Sequence, residues 1–79
     1  MNKQEVFDVI CHNTGEVIPR LKDHAFQYND ALKDLGANSV DRSEIVMMTL
    51  ESLEINVPLI ELARAENMGD LADILYAKL

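Results

Sequence analysis

Leu35-Gly36-Ala37-Asn38-Ser39-Val40-Asp41-Arg42 joins a glycine-containing turn to a serine that opens an amphipathic run reaching Leu53. Gly36 and Asn38 tolerate the backbone angles of a tight turn. Ser39 has two readings. It is a helix N-cap whose oxygen accepts a backbone N–H bond, with Arg42 standing where a capping box has Glu or Gln. Alternatively it is a hydroxyl held in solvent to take a covalent group, with the helix N-terminus placed to stabilise an attached phosphate. Locally, capping is the commoner use of such a serine.

The chain around this stretch has the composition of a small helical domain. It has 79 residues, 48% of them hydrophobic, with three Gly, two Pro and no Trp. That is enough apolar material for one compact core filled by aliphatic side chains and Met, and a single domain spanning 1–79 is expected. Fourteen acidic against seven basic residues give a formal charge of −7. Without a local basic patch, such a chain repels nucleic acid and anionic lipid and favours proteins presenting Lys and Arg. The lone Cys11 leaves no internal disulfide, and no apolar run has membrane-spanning length, which points to the cytoplasm.

Three further segments follow the helical period. Val6, Phe7, Ile10, Val17 and Ile18 form an apolar stripe over residues 3 to about 18, stopped at Pro19. No period persists from Arg20 to Asn38, a long connection with at most one helical turn near Asp30 to Leu35. After the central helix, Pro58 forces Val57 into extended geometry, and a short helix is expected from Leu59 to about Glu66. Asn67, with Asp70 three residues on, opens the last helix, whose buried stripe is Leu71, Ala72, Ile74, Leu75 and Leu79. The expected fold is all-α, a bundle of three main helices plus one short helix, with a long loop between helices one and two.

Enzyme chemistry finds no support in these motifs. There is no phosphate-binding glycine loop, metal-ligand spacing or nucleophile elbow. A Ser39–His24–Asp triad has nothing to orient it, and Glu51 and Glu54 lie on a helix face too exposed to raise a carboxyl pKa.

Asp34-Leu35-Gly36-Ala37-Asn38-Ser39-Val40-Asp41-Arg42-Ser43-Glu44, then Val57-Pro58, then Asn67-Met68-Gly69-Asp70-Leu71, resembles an acyl carrier protein over essentially the whole chain. Gly36 to Arg42, with Val57-Pro58-Leu59-Ile60-Glu61-Leu62-Ala63, looks like the discrete carriers of bacterial polyketide assembly lines. Among those, it looks like the ones serving 3-hydroxy-3-methylglutaryl-synthase-like enzymes that install β-branches.

The resemblance implies that Ser39 is the attachment point of 4′-phosphopantetheine, added from coenzyme A by a phosphopantetheinyl transferase. It implies a monomeric carrier, not an enzyme, that holds acetyl or malonyl thioesters. Its partners would be an acyltransferase, a decarboxylating ketosynthase-like enzyme and the synthase-like enzyme. The docking surface it implies comprises Val40, Asp41, Glu44, Met47 and Glu51, then Val57 and Leu59. Most such carriers have Asp before the serine and Leu after it, where this chain has Asn38 and Val40. Arg42, beside the arm, is a candidate specificity determinant toward the branching enzymes. The alternatives are a carrier for fatty-acid or other polyketide synthesis, and an unmodified helical adaptor.

Overall fold

A computed structural model describes residues 1–79. The elements are α1 (Lys3–Val17), a 3₁₀ turn (Pro19–Leu21), α2 (Ser39–Leu53), α3 (Leu59–Leu62) and α4 (Met68–Tyr76). The all-α bundle and its long first loop follow the expectation.

One device starts all three main helices: an asparagine cap with an acid three residues on. Asn2 accepts from the Glu5 N–H at 2.8 Å, Asn38 from Asp41 at 2.8 Å, and Asn67 from Asp70 at 2.7 Å. Glu5 and Asp41 accept in return from the N–H of their cap residues, completing capping boxes. Asp70 instead accepts from the Glu66 N–H at 3.1 Å. That bond helps end α3 early. The Arg64 and Ala65 N–H groups fall back on Glu61 and Leu62 carbonyls, and Asn67 must be extended to cap α4. The third helix therefore stops at Leu62 rather than near Glu66.

Packing of α1 against α2 and α4 forms the core, in which Val6, Phe7 and Ile10 share one buried cluster with Ile45, Met68, Leu71 and Leu75. A buried polar contact fixes the pairing of α1 with α2: Asn13 donates to Thr49 Oγ1 at 3.0 Å, and Thr49 donates to the Ile45 carbonyl. Leu79, expected in the stripe of α4, is exposed, because that helix ends at Tyr76.

The long loop is held at several points. A single helical turn over residues 31 to 36 matches the sequence reading and ends at Gly36, whose φ of +95° favours glycine. Tyr28 packs edge-on against Phe7 with centroids 4.4 Å apart. The Tyr28 and Asp30 carbonyls accept from the Gly69 and Met68 N–H groups at 2.7 and 2.8 Å. Those are the first amides of α4, which have no partner within their own helix. The approach is close enough that a Cβ on Gly69 would lie 2.8 Å from the Tyr28 oxygen. Gly69→Ala is expected to cost about 1–3 kcal/mol in urea unfolding, and an unchanged midpoint would contradict this docking.

Cys11 is half-buried, and burial, followed by the charges of Asp8 and Asp30, pushes its thiol up to about 12. At pH 8 the folded protein should be alkylated by iodoacetamide at least about tenfold more slowly than an unperturbed thiol, the lost thiolate fraction outweighing the greater nucleophilicity of a more basic thiolate. Denaturant should restore the ordinary rate.

Candidate functional site

Asn38, not Ser39, caps α2, and Asp41 completes the box. Ser39 becomes the first helical residue, exposed, and its hydroxyl enters none of the hydrogen bonds of the fold. The capping role that Ser39 could have filled is thus taken one residue earlier. The Ser39 and Val40 N–H groups find no backbone acceptor, while the next two amides bond to Asn38. A reactive oxygen therefore sits beside two free backbone donors at the positive end of a helix.

The turn before Ser39 is braced by two arginines, at carbonyls on either side of Gly36. Arg20 donates to the Leu35 carbonyl at 2.6 Å, and Arg42 donates from Nη1 to the Ala37 carbonyl at 2.7 Å. Arg42 is accordingly half-buried and tied to the turn, not an ordinary surface arginine. His24 pairs with Asp30 and stacks edge-on against Phe26, so the structure forms no Ser39–His24 couple. The Gln27 N–H, followed by His24, holds the Asp30 carboxyl below the usual carboxylate range.

A cleft of about 520 Å³ opens at Ser39. Its α2 wall carries Ser39, Arg42, Ser43 and Val46, one row at helical spacing. Leu59 and Leu62 of α3, Met68 and Leu71 of α4, and Ala31 and Leu32 of the loop supply most of its remaining apolar lining, with Lys33 and Glu66 among the polar residues. No group of three or more His, Cys, Asp or Glu side chains could hold a metal ion, and no helix is long and apolar enough to cross a membrane.

The residues expected to recognise partners divide by burial. Val40, Met47 and Leu59 are 70%, 59% and 54% exposed, and Glu44 and Glu51 are exposed beside them. α2 buries only Ile45, Thr49 and Leu53, so its apolar content does not surround it with core. Asp41 is half-buried in the cap. Val57 is a correction. It is only 6% exposed and belongs to the core, because the extended stretch before Pro58 turns it inward. Ile60, not singled out from sequence, is the most exposed large apolar side chain at 79% and extends the surface along α3. It follows Leu59 on a helix too short to show a period, which is why the pattern did not reveal it.

No family model matches the chain. It is 49% identical over 78 residues to the polyketide biosynthesis acyl-carrier-protein AcpK of Bacillus subtilis (strain 168), covering 99% of this chain and 95% of that protein. It also superposes, with a TM-score of 0.93 and 47% identity, on a chain in the crystal structure of the curacin biosynthetic pathway HMG synthase in complex with acetyl donor-ACP. That match covers 99% of this chain and 100% of the other. With near-complete coverage at this identity, the chain belongs to the acyl carrier proteins of polyketide biosynthesis.

Proposed function

We propose that this single carrier domain bears 4′-phosphopantetheine on Ser39 and presents acetyl or malonyl groups to the enzymes of polyketide β-branching. The observation that carries the reading is the exposed Ser39 hydroxyl, released from capping by Asn38 and flanked by free amides. When bound, the arm supplies a thiol on which acyl groups travel as thioesters. The chain's own work is to fix the anchor and offer a surface. Ser39 and Val40 N–H groups favour the phosphodiester charge by about 0.3–1 kcal/mol at an exposed site.

Val40, Met47, Leu59 and Ile60 give a partner a few apolar anchors, and Glu44 and Glu51 draw basic surfaces toward them. Small apolar area with complementary charge suits fast, short-lived contact, which a monomeric carrier visiting several enzymes requires. Those partners are a phosphopantetheinyl transferase, an acyltransferase, a decarboxylating ketosynthase-like enzyme and a 3-hydroxy-3-methylglutaryl-synthase-like enzyme. The last is supported by the likeness to a carrier crystallised with an HMG synthase. With a charge of −7, no nucleic acid is among the partners. A cytoplasmic setting supplies the coenzyme A the modification needs.

Incubation with coenzyme A and a broad-specificity transferase should raise the mass by one phosphopantetheine in the wild type and not in Ser39→Ala. An unchanged wild-type mass would favour an unmodified adaptor. Acetyl transfer from the loaded protein to a branching synthase should outpace transfer from a fatty-acid carrier, and equal rates would contradict the branching assignment.

A further inference from the structure

Two of the seven basic side chains of this acidic protein, Lys33 and Arg42, line the cleft that opens at Ser39. They come from different elements, Lys33 from the loop and Arg42 from α2. Arg42 lies three residues after Ser39, which places their Cβ atoms about 5–6 Å apart on one helix face. Its Nη1 is spent on the Ala37 carbonyl, tethering the guanidinium at the end of the helix where Ser39 sits. The remaining N–H donors of the fork make no hydrogen bond within the protein. Lys33 forms no ion pair, and the one carboxylate sharing the cleft is the exposed Glu66. The same cleft has apolar lining, with Val46 one turn beyond Arg42 on α2 and Leu59 contributed by α3.

We propose that Arg42 and Lys33 seat the phosphodiester of the arm on Ser39, turning its first segment into the cleft with the geminal methyl groups against Val46 and Leu59. This rests on the carrier reading of Ser39. It makes Arg42 a positioning residue that acts on the prosthetic group before any partner is met. A phosphodiester carries one negative charge throughout the physiological range, so the seat needs no proton. A fixed guanidinium fork suits it better than a mobile ammonium. Only the stem of the arm is held. The thiol end stays beyond the cleft and remains available to enzymes.

The test uses the modified protein, with its mass confirmed first, so that an unmodified wild type counts against the carrier reading and not against the seat. In nuclear Overhauser spectra, cross-peaks are expected between the geminal methyls of the arm and the methyls of Val46 and Leu59. Each of Lys33→Gln and Arg42→Gln should weaken them by about twofold to fivefold, the range for a solvent-accessible ion contact. Higher salt should act in the same direction. Arg42→Lys should restore part of the intensity. Lys33→Gln touches no hydrogen bond of the fold and so separates lost charge from lost structure. A modified wild type without these cross-peaks, or a double Gln variant that keeps them at full strength, would overturn the proposal.

Discussion

The pairing of Asn38 with Asp41 decides what the rest of the molecule can do. A helix N-terminus has more donors than acceptors, and whichever side chain answers them is consumed by that task. Here Asn38 accepts from the Asp41 N–H and Asp41 accepts from the Asn38 N–H, so the serine between them is exempt. Had Ser39 been the cap, its oxygen would have pointed back at the helix, engaged. Moving the cap by one residue leaves the hydroxyl unbonded in solvent while keeping it on the first turn of a regular helix.

Everything upstream serves to hold that turn in place. Loops of this length ordinarily cost chain entropy and order poorly. This one is ordered because it supplies what α4 lacks, carbonyl oxygens for its first two amides, and because Gly69 has no Cβ to keep Tyr28 away. Arg20 and Arg42 then bind carbonyls on either side of Gly36, so the approach to Ser39 is tied both to the segment after α1 and to α2. Rigidity at the anchor and freedom in whatever hangs from it are complementary requirements. The same arrangement leaves a cleft at the anchor and an apolar, acid-rimmed strip along α2 and α3.

Much of this was legible from residue order, for identifiable reasons. The period of α1 and its stop at Pro19, the start of α2 at Ser39, and the Asn67 cap of α4 are local signals, and the structure keeps them. The identity of the α2 cap was also local, since Asn38 has an acid three residues on and Ser39 has Arg42, but two good capping residues in a row mask each other. The early end of α3 was not legible. Leu59 to Glu66 has helical composition, and among the things that end it early is an N–H captured by Asp70 from the next helix. The inward turn of Val57 and the exposure of Ile60 depend on how a short crossing segment lies on the bundle, which no period records. The cleft is assembled from four parts of the chain and has no one-dimensional signature.

Paired denaturation of Asn38→Ala and Ser39→Ala tests most directly which side chain caps α2. Loss of a true cap costs about 0.5–2 kcal/mol, whereas an exposed, unbonded hydroxyl contributes within about 0.5 kcal/mol of nothing. Asn38→Ala should lower the urea midpoint and speed hydrogen exchange at the Asp41 amide, while Ser39→Ala leaves both unchanged. The reverse pattern, with Ser39→Ala destabilising and Asn38→Ala silent, would mean the serine is employed in the helix and is not free to be modified.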